Sequence, residues 1–238
     1  MTTILSMDTT SKYISISISE DQTIRLEYNF ISQDDLTASL IPSLDFILNS
    51  ASLKLEDIDV FGITIGPGLF TGIRVGLATL KGLVLSSHKP VVPVNSLEAL
   101  AHKYIDAKDP IVSLIDARRN EVYVALYSII DGRPSEILPP TLLHIEQLKG
   151  FLVGQDAFQF AGSGVEVYTD FLKDQFPHHK ILHRSFFLAS EVCKIAAFKY
   201  QHNLYQKNLQ ELLPLYIRKP DAEQNLLKQQ EQEPPATG

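Results

Sequence analysis

Three stretches of this chain hold residue types that do chemistry elsewhere: an acid among hydroxyls, a second acid beside arginines, and a run of glycines. Asp8-Thr9-Thr10-Ser11 offers a carboxylate, three hydroxyls and the N–H groups of a turn, a set that can touch a phosphate or a metal-bound water. The same residues also make a plain Asx/ST turn, bonding only their own backbone. Asp116-Ala117-Arg118-Arg119-Asn120 is a second polar turn with an acid at its head. The longest feature is Gly66 to Gly82, GPGLFTGIRVGLATLKG, following the apolar run Val60–Ile65. Strand, glycine turn and helix aim N–H groups at any anion near Phe70 and Thr71. The spacing nevertheless rejects both common nucleotide motifs. Walker A needs Gly-x4-Gly-Lys-Ser/Thr, and Thr71 stands where Gly-x-Gly-x-x-Gly needs its third glycine.

Other nucleophile and metal patterns are weaker. His179 and His183 have the i,i+4 spacing of a helical metal pair, but they follow Pro177 in a stretch that reads as extended. Four residues along a strand span about 13 Å, too far to share an ion. No metal site is read. Cys193 lies in a helical pattern and reads as a small buried hydrophobe. No Gly-x-Ser-x-Gly elbow or Cys/His nucleophile setting is present.

Composition narrows the classes further. The 238 residues are 45% hydrophobic and 21% charged, enough for a sizeable core in one large domain or two smaller ones. Lys+Arg 21 against Asp+Glu 28 leaves a net charge of -7. A protein gripping phosphate backbones alone shows a basic face; here any nucleic acid is expected to be held through a partner. A single cysteine excludes an internal disulfide and fits a reducing cytoplasm. No apolar run reaches a membrane span, and Met1–Met7 enters a strand-like pattern without a basic leader. The expectation is a cytoplasmic protein.

The elements that must position these residues follow from periodicity. Ile4–Met7, Tyr13–Ser19 and Ile24–Phe30 read as strands, the second a half-buried one because isoleucine alternates with serine. Ser32-Gln-Asp-Asp35 has a helix-start form, and Leu36, Leu40, Leu44, Ile47 and Leu48 mark one helical face interrupted by Pro42. After Gly66–Gly82 come a strand at Val91–Val94 and a short helix capped by Ser96. Ile111–Ile115 and Val122–Ile130 repeat the opening unit of strand, Asp-containing turn and strand, which points to a duplicated α/β architecture. His144–Gly150, Val165–Phe176 and Leu188–Leu204 read as helices and Leu213–Arg218 as extended. Two interior glycines, Gly72 and Gly76, each cost a helix roughly 1 kcal/mol against alanine. Close approach of another backbone would justify them, either within the chain or across an interface.

Four of these blocks together resemble the TsaB (YeaZ) family: Ile4-Leu-Ser-Met-Asp8-Thr-Thr, Gly66–Gly82, Asp116-Ala-Arg-Arg-Asn-Glu-Val-Tyr123 and Leu215-Tyr-Ile-Arg218. The resemblance runs from residue 1 to about 218. It implies an α/β fold of two similar actin-like/Hsp70-like (ASKHA) lobes, each a mixed sheet with flanking helices, at 1–105 and 106–220; residues 221–238, rich in Gln, Glu and Pro, read from their composition as a disordered tail without a counterpart in that family. It further implies the dimerisation subunit of the bacterial tRNA threonylcarbamoyladenosine transferase complex. Such a subunit is not an enzyme on its own: it activates a TsaD-like catalytic subunit for threonylcarbamoylation of N6 of the adenosine beside the anticodon in ANN-decoding tRNAs. A TsaE-like ATPase joins, ATP is used by the complex, no cofactor binds this chain alone, and tRNA is met only through the complex. The expected docking surface, which also serves a homodimer, comprises Thr37, Leu40, Ile41, Leu44, Phe70, Gly72, Ile73, Gly76 and Leu80. Asp8, Thr9, Thr10 and Asp116 fall where nucleotide-contacting turns lie in that superfamily. The TsaD paralogue carries a metal-binding His-x3-His after a Pro-Val strand; here Ser96 and Leu100 stand in those places. Leu36, followed by Thr37, replaces a histidine that many relatives have in the first helix. The alternative from another class is an ATP-dependent kinase-like or peptidase-like ASKHA enzyme acting alone.

Overall fold

The computed structural model describes residues 1–218 except Gln22, 33–35 and Ser86. The expected tail therefore lies outside the described residues, as does most of the expected helix start at Ser32–Asp35. The chain builds β1 (Thr3–Asp8), β2 (Tyr13–Glu20), β3 (Thr23–Ile31), α1 (Leu36–Ser50), β4 (Val60–Gly66), α2 (Phe70–Val84), β5 (Val91–Asn95) and α3 (Ser96–His102). A second series follows: β6 (Ile111–Asp116), β7 (Glu121–Ile130), β8 (Arg133–His144), α4 (Leu148–Phe151), β9 (Gln159–Ala161), α5 (Ser163–Val167), α6 (Thr169–Gln175), β10 (Lys180–Leu182) and α7 (Ala189–Gln201). Two five-stranded sheets result, ordered β3-β2-β1-β4-β5 and β10-β9-β6-β7-β8. Counted within each lobe, both are 3-2-1-4-5, with the first three strands antiparallel and the last two joined in parallel. The duplication expected from the repeated strand–Asp turn–strand unit is thus present in the topology.

Residue alternation decides which helices cover which face. Ile14, Ile16 and Ile18 of β2 join Leu5, Met7, Phe61 and Ile63 under α1 and α2. The intervening Ser15, Ser17 and Ser19 are as fully buried as the isoleucines, not solvent-facing as the alternation predicts. Small side chains there let α7 approach the sheet closely. Ala196 and Val192 lie against the Ser6/Gly62 surface, and Ser15 Oγ accepts the α7 N-terminal hydrogen bonds from Leu188 (3.0 Å) and Ala189 (2.9 Å). The serine stripe is a docking face for a helix of the same chain.

Three further details depart from the sequence expectation. β8 is not among the expected strands; it contains Pro134, Pro139 and Pro140, which an edge strand tolerates because its outer N–H groups need no ladder partner. The cap of α3 is Asn95, whose side chain accepts from Leu97 N at 2.8 Å; Ser96 is already the first helical residue. Not all of the described residues expected in the second lobe stay there. After β10 the chain returns: α7 lies across the first sheet, Gln206 pairs with Val91, and Leu209 and Leu212 pack in the α1/α2 core.

Candidate functional site: an inter-lobe cleft beside a two-helix face

The glycines of the Gly66–Gly82 block have a physical explanation inside the chain. Gly68, Gly72 and Gly76, four residues apart, form one stripe on which the β1–β2 turn rests. A Cβ at Gly72 would stand 2.0 Å from the Thr9 carbonyl oxygen, one at Gly76 2.1 Å from Thr9 Oγ1, and one at Gly68 2.3 Å from the Thr10 carbonyl oxygen. Thr9 Oγ1 donates to the Gly72 carbonyl at 2.8 Å, and Leu69 N donates to the Thr10 carbonyl at 2.6 Å. The helix is stripped of side chains so that the turn carrying Asp8 can be seated against it.

Seated this way, Asp8 is completely buried at the end of β1. Its Oδ1 accepts three hydrogen bonds, from Thr64 Oγ1 (2.6 Å), Thr10 Oγ1 (2.7 Å) and Thr10 N (3.0 Å). Ser96 Oγ extends the chain by donating to Thr10 Oγ1 at 3.3 Å. Oδ2 has no partner among the described residues although it is buried. Burial pushes the Asp8 carboxyl above the usual aspartate range, and the bonds from Thr64 and Thr10 oppose that only in part. In the other lobe, Asp116 Oδ1 accepts from Arg118 N (3.0 Å) and from Tyr168 Oη (3.2 Å).

Both acidic turns open on one cleft of about 990 Å³ between the lobes, walled also by Phe70, Tyr123, Ser163 and Tyr216. Of the four residues expected to meet a nucleotide, Asp8, Thr10 and Asp116 line this cleft together. Thr9 does not: its hydroxyl is committed to the Gly72 carbonyl. Thr64 and Ser96, which complete the Asp8 cluster, were missed because nothing in their local sequence distinguishes them. No three His, Cys, Asp or Glu side chains gather as a metal site among the described residues. Ser96 and Leu100 both lie on α3, Ser96 in the Asp8 cluster and Leu100 against the Gly162 backbone. His179 stacks on Phe158, centroids 3.9 Å apart, as an aromatic of the second core, while His183 is exposed.

The docking residues expected on α1 and α2 divide into two groups. Leu40, Leu44, Ile73 and Leu80 are core residues of the first lobe, and Gly72 and Gly76 are covered by Thr9. None of these six presents a surface, so their expected place in an interface is corrected: the apolar positions of an amphipathic helix face its own sheet. Thr37 and Ile41 are exposed, and Phe70 is half-buried. Ile41 and Phe46 of α1 are 46% and 55% exposed but point about 140° apart around the helix, and Phe46 packs on Tyr28 of β3 with ring centroids 5.1 Å apart; on α2, Ala78 and Gly82 are exposed and Val75 is half-buried. Of the residues expected to dock, Ile41 is an exposed large apolar one; Phe46, also exposed, was not among them.

Two lobes of one topology, a cleft headed by a carboxylate from each, and helices flanking both sheets define the two-lobed actin-like/Hsp70-like class. Residues 31–226 match the family profile described as TsaD, tRNA N6-adenosine threonylcarbamoyltransferase. The tRNA threonylcarbamoyladenosine biosynthesis protein TsaB of Haemophilus influenzae is 30% identical over 179 residues, 71% of this chain and 75% of that protein. The chain belongs to the TsaB family. A tRNA N6-adenosine threonylcarbamoyltransferase of Kosmotoga olearia is 42% identical over 95 residues, 40% of this chain and 26% of that enzyme. The crystal structure of YeaZ from Pseudomonas aeruginosa shares the fold, with a TM-score of 0.79 at 24% identity, covering 91% of this chain and all of that one. No helix of the described residues is long and apolar enough to cross a membrane.

Proposed function

We propose that this chain is the accessory subunit that binds and activates a TsaD-type catalytic subunit, which threonylcarbamoylates N6 of the adenosine beside the anticodon of ANN-decoding tRNAs. The observation that carries this reading is the likeness to TsaB over three quarters of that protein's length. The non-catalytic role is supported at α3, where Ser96 and Leu100 replace a metal-binding histidine pair with a hydroxyl and an alkyl group. The docking surface is the outward face of α1 and α2 around Ile41, Val75 and Ala78, and a homodimer uses the same face. Nucleotide is handled by the complex, with a TsaE-like ATPase, and tRNA is held by the partner, in keeping with the net charge of -7.

Co-purification with a TsaD-type subunit, followed by a transfer assay on tRNA with and without this chain, tests the reading. Ile41→Asp places a charge in the centre of the face and is expected to weaken the complex on the order of thirtyfold, about 2 kcal/mol. Its melting temperature should hold, because Ile41 is on the surface. Full transfer activity of the catalytic subunit alone would overturn the proposal.

A further inference from the structure

The C-terminal segment makes a set of contacts that the proposed activity does not use. Leu215 N donates to the Ile65 carbonyl at 2.7 Å, which fixes the segment beside the last turn of β4. One residue on, the Tyr216 ring stacks on Phe70 at the start of α2, with centroids 4.8 Å apart and planes at 26°. Arg74, one helical turn further, donates from Nε to Tyr216 Oη at 2.9 Å and lays its guanidinium 3.8 Å from the centre of the Phe70 ring. The segment then crosses to the second lobe. Arg218 donates from Nη1 to the Ala117 carbonyl at 2.7 Å and from Nη2 to the Glu121 carboxylate.

What Arg218 grips is the β6–β7 hairpin, and that hairpin is under backbone strain. Arg118, Arg119 and Asn120 all have left-handed φ angles of 61°, 55° and 60°. A non-glycine residue there costs roughly 1 kcal/mol or more, and such conformations persist only where the surroundings over-determine them. The contacts that hold it include the hairpin's own bonds from Ala117 N to the Glu121 carbonyl (2.9 Å) and from Glu121 N to the Arg118 carbonyl (3.0 Å), the Arg218 fork on either side of the tip, and Ile145 N donating to the Asn120 carbonyl at 2.8 Å. Residues 215–218 also line the cleft between Phe70 on one side and Ala117 on the other.

We propose that Leu215–Arg218 is a latch that fixes the closure of the inter-lobe cleft and links it to the occupancy of α2. Tyr216 is the sensing end, because its ring and hydroxyl are held by Phe70 and Arg74 of that helix. Arg218 is the locking end, a positioning residue acting on the hairpin that carries Asp116. Coupling of this kind is reciprocal: a partner bound at α2 sets the latch, and the state of the latch alters affinity at α2. The second half rests on the reading of α2 as a docking helix.

Amide hydrogen exchange on the full chain tests the latch by itself. Arg218→Ala is expected to speed exchange at the Ala117 and Glu121 amides at least tenfold, with the β1 and α7 amides unchanged as a check on folding. Arg218→Lys should behave like Arg218→Ala, since an ammonium cannot hold a carbonyl and a carboxylate as a planar fork does. Tyr216→Phe keeps the ring stack but drops the bond to Arg74, and should speed exchange at the Leu215 amide. Unchanged exchange at Ala117 and Glu121 in Arg218→Ala would overturn the latch. For the coupling, affinity for a purified TsaD-type subunit is measured with Arg218→Ala and with Ile41→Asp. A change of fivefold or more with Arg218→Ala supports the link; an unaltered affinity beside a damaging Ile41→Asp overturns it while leaving the docking face standing. If Ile41→Asp has no effect, the docking reading fails, and exchange in the free chain still decides the latch.

Discussion

Replacing Gly76 by alanine isolates the reason for the glycine stripe. The new Cβ would lie 2.1 Å from Thr9 Oγ1 and 3.2 Å from Thr9 Cβ, so the Thr9 side chain must rotate or the turn must lift. Rotation sacrifices the buried 2.8 Å bond from Thr9 Oγ1 to the Gly72 carbonyl, a loss of about 1 kcal/mol. Overpacking adds about 1–3 kcal/mol, and alanine's better helix propensity returns about 1 kcal/mol. The net expectation is a destabilisation of about 1–3 kcal/mol, or roughly 3–10 °C in melting temperature for a chain of this size. Gly82→Ala is the internal control: it lies in the same helix, is exposed, and has nothing within 4 Å of the added carbon. That variant should gain about 0.5–1 kcal/mol. Thermal denaturation of both, together with Thr9→Ala and the Thr9→Ala/Gly76→Ala pair, closes a cycle whose coupling is expected to reach about 1 kcal/mol. Gly72→Ala meets a backbone oxygen, which no change at residue 9 removes, and should be more damaging than Gly76→Ala. Equal stabilisation by Gly76→Ala and Gly82→Ala would refute the assignment of the stripe to the Asp8 turn.

Two pH dependences follow from the buried acids. Burial pushes the Asp8 carboxyl up, so its charge is costly above the raised value and the cost falls away as pH drops. Asp8→Asn keeps the Oδ1 acceptor and should raise the melting temperature more at pH 8 than at pH 5; a uniform shift at both would exclude a charge effect. Glu191 is the opposite case. Burial alone would raise its carboxyl, but the hydrogen bond with His102 at 2.6 Å and the charges of Lys194, His102 and Lys103 outweigh that and hold it below the ordinary glutamate value of 4.5. Its contribution is therefore complete above about 4.5 and is lost as pH falls further. Glu191→Gln should flatten the stability profile in that acid window, checked by urea unfolding at stepped pH; an unchanged acid limb would count against it.

Much of this architecture was legible because its signals are local. Alternation marked β2, and a continuous apolar run before Gly66-Pro67-Gly68 marked a central strand leading into α2. The repeat of strand, Asp turn and strand at Asp8 and Asp116 announced the duplication. What escaped depends on distant partners. The serines of β2 look solvent-facing until α7 arrives from the other end of the chain. Gly72 and Gly76 look like an open surface until Thr9 fills them, and Leu36–Leu48 reads as a docking stripe when it is the core side of its helix. Asp8 could be named from its turn, but its partners Thr64 and Ser96 are ordinary residues that only the β1–β4 pairing and α3 bring near. Tyr216 and Arg218 were visible as a motif, whereas their work on Phe70 and Ala117 spans separations that periodicity does not report.

The return of α7 to the first sheet bears on how the molecule is made. Cys193 meets the Ile4 carbonyl across 189 positions of sequence. The first lobe therefore cannot cover its second sheet face until nearly the whole described chain has been synthesised. About 100 residues separate the end of β5 from the end of α7, so at typical translation rates of about 5–20 residues per second the completed sheet face waits roughly 5–20 s. During the wait that side shows Ser6, Ser15, Ser17, Ser19 and Gly62 among the apolar Ile4, Val60, Val92 and Val94, where a sheet covered on both faces usually carries a near-continuous row of valines and leucines. A small, hydroxyl-rich surface is a poor template for hydrophobic association. The composition that lets α7 pack closely at the end also interrupts the apolar surface of that face while it waits.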